Sequence, residues 1–259
     1  MTTLGWIVVF TAIGGVLSAV IAGGVLLLPE RRRVQFLPHM VSFATGALLG
    51  AALLALVPHA VIGAGIANVH RIGLALLLGI GVFFMLEKFL LWRHCHSEDL
   101  ETHEAHEHHR RSATGVLVLA GDSLHNLLDG VLIAAAFLTD VRLGVVTALA
   151  IMAHEIPQEI GNFAVLLHAG MSRARAFAWN LITSASAIVG GIGAYFALGK
   201  SLQALPYALA IAAASLLYVA VADLIPGLHR RTDARASVMQ VLLIAAGVAV
   251  VAFAEGHAH

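Results

Sequence analysis

The sequence predicts an all-helical membrane protein with eight transmembrane helices in a single bundle and both termini outward. Three observations predict this class. The 259 residues are 59% hydrophobic and only 12% charged, whereas soluble domains are about 45–50% apolar and about 25% charged. The mean hydropathy is +0.90, and apolar stretches near the bilayer-spanning length of about 20 residues recur along the chain. These stretches are expected to be helical, because backbone groups in lipid must be hydrogen-bonded within their own segment.

Eight stretches are long and apolar enough to cross a bilayer. They cover residues 5–28, 40–62, 71–92, 114–138, 142–168, 176–197, 204–226 and 237–254. The first is longer than the apolar core of a signal peptide and lacks a basic leader, so we expect it to be a retained helix. In chain order the breaks lie at 29–33, 63–71, 93–112, 139–142, 170–175, 199–200 and 226–235, each marked by glycine, proline or charge. We therefore expect residues 1–259 to form one transmembrane domain with a polar loop at 93–112.

Lysine and arginine are distributed unequally between alternate breaks. Eleven lie on one side of the predicted bundle: Arg31, Arg32, Arg33, Arg93, Arg110, Arg111, Arg173, Arg175, Arg230, Arg231 and Arg235. Three lie on the other side: Arg71, Arg142 and Lys200. By the positive-inside rule the first side is cytoplasmic, which places both termini outward.

Charge and cysteine content exclude several functions. The formal net charge is +0, so no nucleic-acid partner is expected. The single Cys95 excludes an internal disulfide, and any metal chemistry must depend on histidine and carboxylate. The glycine spacing of a P-loop does not precede Lys200, so an ATP-driven pump is not expected.

The fourth predicted span carries polar residues in the middle of apolar sequence. They are Asp122, His125, Asn126 and Asp129. At 100° per residue, His125 and Asp129 point to one face, with Asp122 close by and Asn126 on the flank. This spacing predicts that the four side chains converge on one ion.

The fifth predicted span repeats this pattern. Its polar residues are His154, Glu155, Gln158, Glu159 and Asn162. Helical spacing places the histidine, the glutamine and the asparagine on one stripe and the two glutamates on the adjacent stripe. Pro157 cannot donate a hydrogen bond to the carbonyl of Ala153, so we expect a kink that frees an oxygen beside these side chains.

The carboxylates in the two spans need a cationic partner. An ionised carboxylate at the bilayer centre costs about 2.5–3.5 kcal/mol, so four of them cost on the order of 10 kcal/mol. Neither helix core contains a lysine or arginine. A divalent ion bound by imidazole and carboxylate offsets this cost, and a hydrogen-bonded network of protonated acids is the alternative.

The motifs His125-Asn-Leu-Leu-Asp-Gly130 and His154-Glu-Ile-Pro-Gln-Glu-Ile-Gly-Asn162 resemble the fourth and fifth helices of the Zrt/Irt-like (ZIP) metal transporters. Further matches extend over most of the chain: Leu-Val-Pro-His59-Ala, Leu-Glu87-Lys88, the histidine-rich loop, Asn180, Ser184 and Leu-Tyr-Val-Ala-Val-Ala-Asp223-Leu-Ile-Pro. The resemblance implies uptake of divalent transition-metal ions, zinc first, by alternating access. It also implies a homodimer in the cell membrane as a multi-pass protein, here a bacterial inner membrane.

The resemblance implies a transport site with two metal positions. The first position would use His125, Asp129, His154 and Gln158, and the second would use Asn126, Glu155 and Gln158, with Asn180 added to the second. Gln158 stands where related sequences often have Glu or His, and Asn162 where they often have Asp, which leaves open whether one or two ions bind. Imidazole and carboxylate suit Zn²⁺, Fe²⁺ or Mn²⁺, and Cd²⁺ is a further candidate.

Two other groups of histidines are secondary candidates. The predicted cytoplasmic loop contains His94, His96, His103, His106, His108 and His109 among acidic residues. This density is typical of metal binding, although a solvated polar loop accounts for it equally well. His59, near the outer end of the second span, is predicted either to help admit ions or to be a hydrogen-bonded histidine at the interface.

Two rival functions use the same residues. An intramembrane zinc-dependent hydrolase is one, because His154-Glu155 begins the H-E-x-x-H pattern of metalloproteases. Position 158 is glutamine, so the second histidine of that motif is missing, and we expect a secondary metal-ion transporter with no resident cofactor rather than an enzyme. A metal exporter is the other rival, since ligand type does not encode direction.

Overall fold

The computed structural model describes residues 1–96, 107–229 and 233–256, and side chains within these ranges apart from residues 34 and 90–117. The described part of the chain is helical and contains no β-strand. The α-helices are α1 Thr3–Leu26, α2 Glu30–Gly50, α3 Val57–Ala64, α4 Val69–His96, α5 Glu107–Thr139, α6 Val141–His168, α7 Arg173–Ser184, α8 Ser186–Leu198, α9 Leu205–Tyr218, α10 Ile225–Leu228 and α11 Ala234–Gly256. Two π-helical segments, Ala51–Leu56 and Val219–Leu224, and two 3₁₀ turns, Ile66–Asn68 and Leu202–Ala204, join some of them.

Seven helical stretches in the described residues are long and apolar enough to cross a membrane. They are Thr3–Leu26, Glu30–Ala64, Ile66–Phe89, Val118–Thr139, Arg173–Leu198, Leu202–Leu228 and Ala234–Gly256. The one predicted span absent from this set is the fifth, 142–168, which corresponds to α6, a helix of 28 residues. Its length is sufficient, at about 42 Å, but its central polar side chains lower its hydropathy. The chain is a multi-pass membrane protein, and the count of eight and the outward termini remain predictions.

One face of the bundle, which we call the arginine-rich face, contains Arg31, Arg32 and Arg33 at the start of α2 and Arg173 and Arg175 at the start of α7. Helix α1 ends and α2 begins at this face, and α6 ends and α7 begins there, because each pair is joined by a short connection. Arg31, Arg32 and Arg33 were expected in a break, but they lie in the first turn of α2, which begins directly after Pro29. Proline is tolerated just before a helix, since the first helical N–H groups have no partner within the helix.

Close backbone contact joins α5 to α8 next to the polar residues of the fourth span. A Cβ placed on Gly130 would lie 1.9 Å from the carbonyl oxygen of Ala187, and one on Gly190 would lie 1.9 Å from that of Leu127. Only glycine permits this approach, as is common between membrane helices. Helix α5 also packs against α6, and α1 packs against α6, α5 and α8. The two helices that carry the polar residues are therefore held by neighbours on several sides.

Pro58 and Pro226 affect the helical backbone differently from Pro157. Pro58 and Pro226 each follow a π-helical segment, in which the wider turn accommodates a residue that has no N–H to donate. These segments were not predicted from the sequence. Pro157 lies inside α6, which remains helical from Val141 to His168, so the expected kink is not accompanied by a break in the helix.

Candidate metal centre

Four metal-ligand side chains from α5 and α6 converge on one point. His125 and Asp129 come from α5, and His154 and Glu155 come from α6. One ligand atom from each lies within 4.8 Å of all the others. We call these four residues the ligand cluster. The i, i+4 spacing on α5 and the adjacent positions on α6 are sufficient because the two helices pack directly together.

The spacing of the ligand atoms matches a tetrahedral metal site. His125 Nε2 lies 3.2 Å from His154 Nε2 and 3.5 Å from Glu155 Oε1. Asp129 Oδ2 lies 3.6 Å from each histidine Nε2, and His154 Nε2 lies 3.8 Å from Glu155 Oε1. Four atoms bound to one zinc ion at about 2.0–2.2 Å in a tetrahedron are separated by about 3.3–3.6 Å. The cluster therefore needs little rearrangement to hold such an ion.

Burial makes the cluster costly without a cation. Asp129, His154 and Glu155 are 3%, 1% and 3% exposed. Within the described part of the chain, Asp129 Oδ2 and both carboxylate oxygens of Glu155 are buried and have no hydrogen-bond partner. Each such orphaned group costs about 1–3 kcal/mol, and more if it is charged. A bound cation would satisfy Asp129 Oδ2 and Glu155 Oε1 at once.

A second polar group surrounds Asp122, one turn before His125. Asn162 Nδ2 donates a hydrogen bond of 2.7 Å to Asp122 Oδ1. Asn126 Nδ2 donates to the backbone oxygen of Asp122 at 3.1 Å and to Oδ1 at 3.4 Å. These three predicted site residues lie together, and the amide nitrogen of Asn126 points to Asp122 rather than to the ligand cluster.

Glu159 is fully buried one turn beyond Glu155. Ser184 Oγ donates a 2.7 Å hydrogen bond to Glu159 Oε1, and Asn180 Nδ2 donates a 3.4 Å bond to the backbone oxygen of Glu159. Glu159 Oε2 and Asn180 Oδ1 have no partner among the described residues. Glu159 and Asn180 therefore retain one free acceptor each, on the α7 side of the site.

A cavity of about 510 Å³ extends from the ligand cluster toward the arginine-rich face. We call it the inner cavity. Its lining includes His125, Gln158 and Asn162 of the two site helices and Glu87, Tyr218 and Asp223 from α4, α9 and the following π-helical segment. The Tyr218 hydroxyl donates a hydrogen bond to Glu87 Oε2, an interaction that the sequence analysis missed because the two residues are 131 positions apart. Gln158 thus lines the approach to the cluster beside His125, whose side chain is 24% exposed.

The opposite side of the cluster is closed by apolar packing. Leu132 and Ala136 of α5, Ala148 and Ile151 of α6, and Leu216 of α9 belong to one buried hydrophobic core. His59 is not among the lining residues of the inner cavity, and its Nδ1 lies 2.9 Å from the carbonyl oxygen of Ala55 on its own helix. In the described residues the inner cavity therefore lies between the cluster and the arginine-rich face, and buried apolar side chains of α5 and α6 lie toward the other face.

The predicted loop histidines fall largely outside the described residues. Positions 103 and 106 lie outside, and positions 94, 96, 108 and 109 lie on helical backbone of α4 and α5 whose side chains are also outside the description. The loop therefore stays a prediction. The expected break at 93–112 is narrower than predicted at both ends, since α4 extends to His96 and α5 begins at Glu107.

Comparison with known proteins identifies similar chains. The family model described as ZIP zinc transporter matches residues 91–255. The chain is 31% identical over 229 residues to zinc transporter ZIP13 of Pongo abelii, covering 83% of this chain and 65% of the relative. It is 28% identical over 246 residues to zinc transporter YKE4 of Saccharomyces cerevisiae, covering 84% and 70%. Against zinc transporter ZIP4 of Mus musculus it is 31% identical and spans 39% of that protein's length.

Proposed function

This chain belongs to the ZIP zinc transporter family, and from this membership we propose that it carries divalent transition-metal ions across a membrane, with zinc as the principal cargo. The observation that carries the proposal is the ligand cluster, in which two imidazoles and two carboxylates lie within 4.8 Å of one another. Nitrogen and oxygen donors in this combination suit zinc, and also Fe²⁺, Mn²⁺ and Cd²⁺. Intramembrane ionisable residues commonly mark an ion pathway.

The proposed cargo site combines the cluster with its neighbours. His125, Asp129 and His154 form the first metal position that the family resemblance implies, and the distances favour Glu155 as the fourth ligand of that position. Gln158, which lines the inner cavity, is then free to meet an ion that is entering or leaving. A second metal position would draw on nearby polar side chains: Asn126, Glu155, Gln158, Asp122, Glu159, Asn162 and Asn180. Of these, Asp122, Glu155, Glu159 and Asn180 have buried oxygens without a hydrogen-bond partner in the described part of the chain.

The proposed mechanism is alternating access. The inner cavity gives the cluster access to the arginine-rich face, which the positive-inside rule assigns to the cytoplasm. The apolar seal of α5, α6 and α9 closes the other route. An ion that arrives from outside therefore requires a second conformation, in which this packing opens and the inner cavity closes. In this scheme transport runs into the cytoplasm, and both termini face outward. Helix α6 also crosses the membrane, which brings the count to eight spans.

The assembly and the membrane are part of the same proposal. We take the cell membrane as the location, and the short connections favour a bacterial inner membrane. A homodimer is the proposed assembly. The relatives named above come from eukaryotes, so the bacterial part of the proposal does not rest on them.

The test is uptake of labelled Zn²⁺ into proteoliposomes that contain the purified protein. We expect uptake by the wild type, with loss in His154→Ala and Glu155→Gln. His168→Ala is the matched control, because His168 lies on the same helix but ends it at the arginine-rich face. Glu30→Gln is the second control, since Glu30 is exposed in the first turn of α2. Competition with Fe²⁺, Mn²⁺ and Cd²⁺ ranks the cargo ions.

Two results would contradict the proposal. Equal loss of uptake in the site variants and their controls would mean that the cluster is not the pathway. Zinc binding without uptake by the wild type would contradict transport and favour the zinc-dependent hydrolase, which a peptide-cleavage assay with the same preparation would then test. Efflux from preloaded vesicles with uniform protein orientation distinguishes an exporter from an importer.

A further inference from the structure

A second cavity, of about 590 Å³, lies at the arginine-rich face and shares no lining residue with the inner cavity. We call it the lateral cavity. It is bounded by the end of α1 at Leu26 and Leu27, the start of α2 at Arg33, the end of α6 at Leu167 and the start of α7 at Arg173. Its floor includes Phe163 and Phe177, which belong to a small hydrophobic cluster separate from the main core. The transport mechanism does not use this space.

The polar lining of the lateral cavity is cationic. Among the residues that the structure describes, Arg33 and Arg173 are the only ionisable ones that line it. The Nε of Arg33 is buried and has no hydrogen-bond partner in the described part of the chain. Neither arginine forms an ion pair with a described carboxylate, and the nearest acid along the chain, Glu30, is exposed. Helices α2 and α7 both begin here, and their N-terminal N–H groups add further positive potential.

The apolar lining continues into an exposed groove on α1. Val20 lines both the lateral cavity and a neighbouring groove formed by Ala12, Ile13, Val16 and Leu17 of α1. Ile13, Val16 and Val20 are each 49% exposed. From Val20 to Ile13 the groove runs about 10 Å along the helix, away from the arginine-rich face and toward the bilayer centre. The site is thus cationic at the membrane surface and apolar in the membrane interior.

We propose that the lateral cavity binds an anionic phospholipid. The phosphate of the headgroup lies between Arg33 and Arg173, where guanidinium groups bind phosphate oxygens through paired hydrogen bonds. One acyl chain follows Val20, Val16 and Ile13 along α1. The volume lies within the range of about 300–1,000 Å³ that is usual for ligand sites. Anionic lipids are concentrated in the cytoplasmic leaflet, to which the positive-inside rule assigns this face.

Native mass spectrometry of the purified full chain tests the proposal. The protein is incubated with equal amounts of palmitoyl-oleoyl phosphatidylglycerol and the corresponding phosphatidylcholine, and the retained lipid is measured. We expect wild type to retain the anionic lipid about tenfold more than the zwitterionic one. The double variant Arg33→Gln with Arg173→Gln is expected to lose this preference. The control double variant Arg31→Gln with Arg175→Gln removes two exposed charges from the same face and is expected to keep it.

A third variant tests the acyl-chain path without changing charge. Val20→Trp fills the junction between the lateral cavity and the groove, and we expect retention of phosphatidylglycerol to fall about tenfold while both arginines remain. Soluble glycerol phosphate is expected not to displace the lipid. Equal retention of both lipids by wild type, equal loss in the control double variant, unchanged retention in Val20→Trp, or displacement by glycerol phosphate would each overturn the assignment.

Discussion

His125 Nε2 of α5 lies 3.2 Å from His154 Nε2 of α6, 29 residues away along the chain. The two ring nitrogens face each other across the helix interface, and buried carboxylate oxygens lie within 3.8 Å of both. Neutral imidazoles in this arrangement present their lone pairs to a shared point. The predictions below follow from this relationship and from the packing that maintains it.

Loss of either histidine should abolish tight zinc binding. Mutations of residues that only orient a metal ligand reduce affinity about 10–100-fold, so removal of a ligand in His154→Ala should cost at least about 100-fold. Isothermal titration of the detergent-solubilised protein with Zn²⁺ measures this. His168→Ala should bind as wild type does. A wild-type affinity in His154→Ala would show that the cluster is not the principal site.

Replacing Glu155 with glutamine should have opposite effects on the free energy of unfolding in the absence and in the presence of zinc. Without metal, Glu155→Gln replaces a buried carboxyl group whose two oxygens have no hydrogen-bond partner in the described part of the chain with an amide that can donate to the carboxyl oxygens beside it, and we expect the free energy of unfolding to rise by about 1–2 kcal/mol. With zinc at 100 times the dissociation constant, wild type should gain about 2.7 kcal/mol and the variant far less. Thermal unfolding in detergent, with chelator and with zinc, gives both quantities. Destabilisation of the metal-free variant would contradict the cost assigned to Glu155.

The glycine contact between α5 and α8 should be essential to the fold around the site. Gly130→Ala places a methyl group where only 1.9 Å separates it from the carbonyl oxygen of Ala187, so the two helices must move apart. We expect a loss of about 3 kcal/mol or more in the free energy of unfolding, with weaker zinc binding because Asp129 is adjacent.

Gly193→Ala is the matched control for this contact. Apart from its chain neighbours and the backbone of its own helix, no described atom lies within 4 Å of a Cβ built on Gly193, which is in the middle of α8. The substitution should be neutral or stabilise the protein by up to about 1 kcal/mol through helix propensity. If both variants were equally destabilised, the cause would be general to α8 rather than the close approach at Gly130.

Access to the ligand cluster should be one-sided in the described conformation. In a Cys95→Ser background, Leu128→Cys introduces a thiol into the lining of the inner cavity, and Ala135→Cys introduces one into the buried core next to Ala136 of the apolar seal. A membrane-impermeant maleimide should label position 128 from the arginine-rich face much faster than position 135. Adding the maleimide to the inside or to the outside of oriented vesicles also tests the predicted orientation of the chain in the membrane. Equal labelling of the two positions would show that the seal is open.

Hydropathy and local spacing account for what the sequence could predict. Long apolar runs must be helical in lipid, and this predicted the helical class without any knowledge of packing. The i, i+4 rule placed His125 and Asp129 on one face, and the absence of a lysine or arginine partner pointed to a cation. Family motifs then identified the transporter family, which the comparisons confirm. Helix α6 is missing from the seven apolar spans because the side chains that mark the site also reduce its hydropathy.

The sequence by itself therefore determined the elements, the family and the residue types at the site, because these depend on local composition and spacing. Only the tertiary structure decided that Glu155 of α6 joins the two histidines and Asp129 in one cluster. That arrangement depends on the rotation of α6 against α5, which contacts with α1 and α8 help to set. Packing likewise decided which side of the cluster is open, and it brought Arg33 and Arg173 to one cavity although 140 residues separate them. The rotation of α6 and the closure of one side of the cluster cannot be predicted from sequence periodicity, because both arise from contacts between helices that are distant in the sequence.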